Sequence, residues 1–508
     1  MESSPDRSSA SGRVYGPTRF GLDNFALDLW TDPSRALLEN PGMRHTRLGY
    51  WIEEAGEVEP TAALAGVREA DVLVVGGGYT GMWTAWYARQ LEPKARVVLL
   101  ESEPLCGHGP SGRNGGFCNA MWLSLASMRD RWGAEGALAT ARAAQEAVGR
   151  IERFCAEQGV DAWVRPAGYV QVSTAPAHDG AWSRAVAACR ELGVPEMLQL
   201  LSEAEVAERC KSPAFRAGAV SPTSVTVQPA RLALGLRAKL IEAGVEVFES
   251  SPVRSFREAG DGVEARTAAG SVRAQRGVLA IGAAAKGRHG PLRGRLTVAS
   301  SHIVLTEPVP DVLEEIGWTG GDCITDARAL LHYFRTTPDG RIAFGWGGGR
   351  IAFGARIHGR SELDAAVIAA AAEDLHRYFP QLRGRRLTHA WGGPIDASPT
   401  HLPAVSSLPH GRAWVAAGYT GNGVGPSNMV GRTLASLALD HRDEHTNLPI
   451  VDAKTPRIPP EPFHWIGGES IRLGILSKEK DELKGHEPSK LSSAVARIPE
   501  LIGFHIGR

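Results

Sequence analysis

Short apolar runs alternate with longer stretches of helical period along this chain, and their order predicts its architecture. Residues 70–75 (ADVLVV) are a compact, β-branched run that reads as a buried parallel strand. Glycines end it at 76–78, residues 81–91 have helical spacing with Trp83, Trp86, Tyr87 and Leu91 apolar, and 97–100 (VVLL) is a second strand closed by Glu101. Strand, glycine turn, helix and strand within about thirty residues make one βαβ unit. From 122 to about 211 the text turns Ala-, Glu- and Arg-rich with helical period at 140–157 and 181–192, around a strand-like alternation at 168–174. A helix over 228–243, entered through Pro229, leads back to strands at 245–253 and 278–281. Strands at 302–307, 332–336 and 341–344 predict a second sheet, and a strand at 413–417 precedes a helix over 429–439. No internal repeat interrupts this order.

The pattern predicts an α/β chain (α+β overall), with a Rossmann-like nucleotide-binding domain interleaved with a mixed-sheet substrate domain. Segments 69–123, 226–300 and 391–440 are expected in the first, and 124–225 and 301–390 in the second. Residues 1–68 form a polar arm with an aromatic spot at Tyr50 and Trp51, either an extended cover or partly loose. The tail, 441–508, is Pro-rich and then amphipathic, which suits a helical strap over the body or a docking element.

Composition narrows the function by exclusion. The 508 residues carry 56 basic and 56 acidic side chains, so the formal charge of zero argues against nucleic acid or an anionic membrane surface as the main partner. No apolar run reaches a membrane span, and the polar start MESSPDRSSASGR does not read as a secretory signal. Six scattered cysteines without metal-ligand spacing argue for reduced thiols in a cytoplasm and against a bound metal.

The 59 glycines matter most where they cluster. Gly76-Gly77-Gly78-Tyr79-Thr80-Gly81 satisfies G-x-G-x-x-G directly after a strand and at a helix start. Gly76 makes the turn, Gly78 admits a pyrophosphate to the backbone and Gly81 lets helix and strand pack closely, while N–H groups around Tyr79 and Thr80 face the phosphates. Glu101 ends the second strand, where a carboxylate can accept from a ribose diol. This pattern alone does not separate NAD from FAD. A second loop, Gly107 to Gly116, places Ser111, Gly112, Arg113, Asn114, Gly115 and Gly116 where backbone can wrap a cofactor. A third, Gly418 to Pro426, with Gly421, Asn422, Gly423, Val424 and Gly425, is another anion-facing helix start more than 300 residues from the first. One long cofactor bridged by both ends of the chain explains two such sites better than two ligands.

VVGGGYTG, the terminal Glu101 and SGRNGG together resemble the FAD-dependent amine and amino-acid oxidoreductases of the D-amino-acid oxidase superfamily, in particular its γ-glutamylputrescine oxidoreductase-like branch. The likeness spans about 69–440. It implies FAD, cofactor contacts from Gly282 after the strand near the flavin nucleotide and from the Val253 backbone by the adenine, and the third loop at flavin N1 and C2=O. It also implies hydride transfer from an amine to flavin N5, giving an imine that hydrolyses to an aldehyde or keto product, with O2 or another acceptor taking the electrons. A dry aromatic pocket would favour the neutral amine, and His302, His332, Tyr333, Phe334, Trp346 and Trp391 are candidate lining residues. Arg335 stands where amino-acid-oxidising relatives carry a carboxylate-binding arginine, with a structural ion pair as the other reading. Asp396 could meet ribityl hydroxyls or a substrate amine. Sarcosine-oxidising relatives have lysines at the positions aligned with Gly425 and Ala343; neither is present, which argues against a small α-amino acid and leaves oxidase or dehydrogenase open. Lys286 reads as a solvated lysine. His108 is the one residue placed to check for a covalent flavin link, and non-covalent FAD is expected. Two other readings remain: an NAD-linked dehydrogenase, which leaves two glycine clusters unexplained, and a non-catalytic flavin subunit passing electrons to a partner.

Overall fold

Two sheets divide the work of the molecule, and the chain crosses between them more than once. The computed structural model describes residues 43–288, 290–354 and 356–504. The expected βαβ unit is β1 (Gly66–Val75), α1 (Tyr79–Leu91) and β2 (Val97–Leu100), and β3 (Gly270–Leu279) joins β1 in parallel. The chain then builds β4 (Thr297–Thr306), β5 (His332–Thr336), β6 (Ile342–Trp346) and β7 (Leu387–Ala397) of the second sheet. It returns to the first sheet in β8 (Ala413–Ala417) and α2 (Val424–Ala438), and finishes in a helical hairpin, α3 (Phe463–Leu483) and α4 (Lys490–Leu501).

The first sheet runs Ala404–Ser407, β8, β3, β1, β2, Glu246–Phe248, parallel along this order except at its Ala404–Ser407 edge, and the hairpin Ser255–Ala259 with Gly262–Arg266 joins β3 antiparallel. Its central strands read as unbroken apolar runs because both faces are covered. Val72 and Val74 meet the core that includes Met82 and Trp83 of α1 and Met429 of α2, while Leu73 and Val75 meet Val263 and Ala265 of a small hairpin below. The second sheet runs Arg44–His45, β7, β4, β6, β5, Cys323–Asp326, Arg165–Val172, Gly218–Thr226, Phe117–Cys118. Its far face is packed with the aromatic cluster of Phe334, Phe344, Tyr378 and Phe379.

Several elements differ from the pattern reading. The expected strand at 245–253 is only Glu246–Phe248, and the hairpin Ser255–Ala259 with Gly262–Arg266 follows it. The helix expected over 140–157 belongs to Leu125–Gln158, kinked at Gly133, whose φ of 75° no helix accepts. α2 begins at Val424 rather than 429, because packing of Gly425 on the Asn119 carbonyl and Gly431 on Trp83 outweighs poor glycine propensity. β7 has no counterpart among the predicted strands, because Gly392, Gly393 and Pro394 resemble a turn; the His302 ring lies where a Cβ on Gly392 would stand. Strand membership also shifts the expected borders. β4 starts before 300 and β7 before 391, Phe117–Cys118 pairs in the second sheet, and so does Arg44–His45 from the arm. The arm's aromatic spot is a short helix, Tyr50–Ala55, with Trp51 fully buried edge-on against Trp391.

Candidate active site

A cavity of about 640 Å³ lies between the sheets, at the carboxyl ends of β1, β2 and β3, where Val75, Leu100 and Leu279 face it. Its nucleotide end is mostly backbone. Gly76 holds φ +109°, and a Cβ there would collide with the Ala280 carbonyl oxygen. A Cβ on Gly81 would collide with the Gly76 oxygen, so Gly81 sets the approach of α1 to β1 and itself lies outside the cavity wall. Gly78 lines the cavity with 3.1 Å between an added Cβ and Ser111 Oγ. Ser111 Oγ accepts from the Tyr79 N–H at 2.8 Å, standing at the positive end of α1 as an anion's oxygen would.

Glu101 is buried at the end of β2. Its Oε2 accepts from Gly77 N–H at 2.5 Å and its Oε1 from Glu103 N–H at 2.7 Å. Burial raises its pKa, against the pull of these donors. In the second loop, Asn114 is a staple: its amide donates to Ser111 O at 2.7 Å and its Oδ1 accepts from Gly116 N–H at 2.7 Å. Arg113 is buried against the cavity, donating to Arg47 O at 2.9 Å with Glu362 at 3.5 Å. Gly115, Val253 and Gly282 also line the cavity, whereas Gly112 packs on the Gly107 carbonyl and Gly116 on the Val227 carbonyl.

The third loop closes the ring. Tyr419 and Thr80 share a hydrogen bond of 2.7 Å, which ties the last glycine cluster to the first. Gly421, Asn422, Gly423 and Val424 line the cavity at the N-terminus of α2. Gly425 does not: a Cβ there would stand 2.5 Å from Asn119 O, so a side chain has no room. Asp396 lines the cavity and accepts from Gly418 N–H at 2.6 Å; burial pushes its pKa up to about 6.

The substrate-side candidates separate by strand alternation. Tyr333 faces the cavity, wedged between Gly115 and Gly345, sharing a 2.7 Å hydrogen bond with Ser301 and touching Phe117 edge-on. Burial pushes its phenol up to about 12. Arg335 is corrected. It shares the Tyr333 face of β5, but lies behind the second loop, donating to Gly116 O, Val227 O and Thr336 O with its guanidinium over Trp51. It lines no part of the cavity, and burial lowers its pKa to about 10. His302 is also corrected: it points to the opposite face of β4 from Ser301, accepting from Asp364 N–H at 3.1 Å, with its pKa pushed down to about 4 by burial. His332 is enclosed with Asp326 and Asp374, Phe334 lies in the far core, and Trp346 and Trp391 donate to Leu330 O and Arg113 O. Ala343 is buried with Trp51 and Trp391, outside the cavity. Lys286 is not solvated but half-buried, 3.1 Å from Glu461 and 3.2 Å from His464. His108 lies outside the cavity wall.

Pattern reading missed Ser301, Phe117, Leu330, Ile351 and Phe504 as cavity residues. Alternation along β4 could have found Ser301, and the paired glycines before Phe117 mark its place; no local signal points to Phe504. Among the described residues no cluster of metal-ligating side chains occurs, and no helix is long and apolar enough to cross a membrane.

The glycine-lined cradle, the acid at the end of β2 and the cavity's span across both sheets fit an extended dinucleotide. The pattern of the DAO family of FAD dependent oxidoreductases matches residues 71–437, and the chain belongs to this family. It is an enzyme class that works through FAD, so the NAD-linked reading falls away. Among curated relatives, the chain is 27% identical to a probable oxidoreductase OrdL of Rhizobium meliloti (strain 1021), over 84% of this chain and 95% of that one. It is 26% identical to gamma-glutamylputrescine oxidoreductase of Escherichia coli (strain K12), over 81% and 94%. The fold is similar to that of glycine oxidase from Geobacillus kaustophilus (TM-score 0.61, 21% identity, 74% of this chain and 96% of that one). L-amino acid deaminase from Proteus vulgaris gives the same TM-score of 0.61, at 19% identity, over 78% and 97%.

Proposed function

We propose that the chain oxidises a primary or secondary amine. The observation that carries this reading is the continuity of one cavity from the glycine cradle to a chamber walled by Phe117 and Tyr333. Gly78, Tyr79 and Ser111 would hold the pyrophosphate, Glu101 the ribose, and Gly421 to Val424 the pyrimidine side of the flavin. FAD, when bound there, would supply the hydride acceptor for oxidation of the amine. The chamber's aromatic walls favour the neutral amine by excluding water. The N-terminus of α2 offers a positive dipole end to negative charge that develops beside it. Asp396, with its carboxyl near neutral titration, is placed to hold a proton within the cavity. The imine product is hydrolysed by water to an aldehyde or keto compound, with release of ammonia or a smaller amine.

Arg335 is spent on backbone carbonyls, which removes the main support for an anionic amino acid as substrate. Non-covalent FAD is supported by the position of His108 outside the cavity wall. Six buried, unpaired thiols support a reducing, cytoplasmic setting. Anaerobic mixing of the FAD-loaded protein with an amine panel tests the reading. Bleaching of the flavin bands by an amine supports it; an oxidised spectrum across primary and secondary amines sinks it. Re-oxidation in air then decides between O2 and another acceptor.

A further inference from the structure

We propose that the C-terminal hairpin, α3 and α4, is a specificity element that builds the outer wall of the substrate chamber and selects amines carrying an apolar substituent; this rests on the amine chemistry proposed above.

Glu469, Arg472 and Glu479 recur on α3 at spacings of three and seven, which puts them on one face of the helix. Each reaches past the helix to the backbone of a loop. Glu469 Oε1 accepts from Ile351 N–H at 2.5 Å. Arg472 donates to Gly348 O at 2.7 Å and Gly349 O at 2.8 Å. Glu479 Oε1 accepts from Ala329 N–H at 2.7 Å while its Oε2 accepts from Arg328 Nε at 3.0 Å. The two loops are joined to each other, Gly347 N–H donating to Leu331 O at 2.9 Å. Ala329, Leu330, Leu331, Gly347 and Ile351 from these loops all line the cavity.

Arg472 and Glu479 are almost wholly buried, an arrangement that costs desolvation and is favourable only with the partners held in place. An apolar strap would tolerate sliding; charges aimed at backbone amides and carbonyls fix the loops in one position. α4 then runs back along α3, Gly474 leaving room for Val495, and delivers Phe504 to the cavity wall. The wall made this way is apolar: Leu330, Leu331, Ile351 and Phe504, with Ile357, packed on Ala283, Val298 and Ala352, on the same cavity. The carboxylate beside it, Glu362, is taken up by Arg47 at 2.9 Å, Arg113 at 3.5 Å and His358 at 3.3 Å. This end of the chamber therefore suits an alkyl or aryl group, and among the described residues the cations beside Glu362 are already paired with it. The family match ends at residue 437, so the hairpin lies outside the segment shared with the family at large.

The test uses ligands that cannot turn over: amines without a hydrogen on the α-carbon. Affinities of tert-butylamine, 2-phenylpropan-2-amine and 2-aminoisobutyrate for the FAD-loaded full chain are read from perturbation of the flavin spectrum. The phenyl amine should bind at least about tenfold tighter than the other two, from the apolar area it buries. Phe504→Ala should weaken the phenyl amine about five- to tenfold and leave tert-butylamine unchanged. Glu479→Gln should reduce the same discrimination and speed hydrogen exchange at the Ala329 and Leu330 amides. Tighter binding of 2-aminoisobutyrate than of the phenyl amine, or equal losses for all three ligands in both variants, would overturn the proposal. If these amines bind as expected while benzylamine and hexylamine fail to reduce the flavin, the oxidation reading fails and the apolar selectivity of the wall stands.

Discussion

The two ends of the cavity are built from different materials. At the nucleotide end, Gly76, Gly78 and the loop from Gly421 present main chain to the cavity, and Gly76 is itself backed by the Ala280 carbonyl. At the substrate end, side chains from separate segments meet: Phe117 from the short strand Phe117–Cys118, Ser301 from β4 and Tyr333 from β5, with Phe504 of the tail on the wall of the same cavity. Gly76 and Gly81 tolerate no side chain, because a Cβ there collides with a carbonyl oxygen, and a larger side chain at Gly78 would stand in the cavity beside Ser111. Side-chain walls can be rebuilt one residue at a time. A fixed cofactor end with an adjustable substrate end lets one scaffold serve different amines.

The largest effect expected from this contrast is at Gly78. Gly78→Val should abolish FAD retention by blocking the approach to the N-terminus of α1 beside Ser111, read as loss of the visible flavin spectrum after reconstitution. Full occupancy in that variant would break the contrast at its strongest point. Arg335→Ala should cost about 3 kcal/mol of stability and lower Tm, since it removes a donor from the buried Val227, Thr336 and Gly116 carbonyls, of which Gly116 O keeps the Val227 N–H. KM should rise no more for anionic than for neutral substrates; a selective rise would return Arg335 to the binding site.

Asp396 gives a pH test with a defined sign. Its folded pKa, about 6, lies above the usual carboxylate value of 3.8, so the folded state prefers the protonated form. That stability is fully present below the lower value and is lost as pH rises through about 6, by about 3 kcal/mol in total. Asp396→Asn, which keeps an acceptor for Gly418, should flatten this part of the Tm-versus-pH curve and become the more stable form above pH 6. An unchanged curve would show that Asp396 is not the group titrating there. Tyr333→Phe, the mildest change, removes one hydrogen bond to Ser301 and should lower kcat/KM about three- to tenfold with FAD retained. A loss of FAD in that variant would mean that the two ends are less separate than their construction suggests.

The same contrast explains what the sequence made legible. Glycine at a fixed spacing after an apolar run reports a local backbone requirement, so the cradle at Gly76 to Gly81, Glu101 and the loop from Gly421 could be read without tertiary knowledge. Which face a side chain takes depends on what lies across the sheet. Tyr333 and Arg335 share one face of β5, yet only Tyr333 meets the cavity, because Gly116 and Val227 cover the guanidinium. β7 was hidden for a related reason. Its Gly392 and Gly393 give way to the His302 ring and the neighbourhood of Arg113, a tertiary need that mimics a turn in the text. Gly425 illustrates the reverse: its missing lysine was visible in the sequence, and the Asn119 carbonyl supplies the reason.

The hydrogen bond between Thr80 and Tyr419 joins residues 339 positions apart. For a chain emerging from a ribosome, that separation is a delay. At about 5–20 residues per second, roughly 17–70 s pass between synthesis of the first glycine loop and of the last. Throughout that interval one half of the cradle stands without the other, so FAD capture belongs to the end of synthesis. Fragments cut short before the third loop would be born unable to enclose the cofactor, however well their first sheet folds.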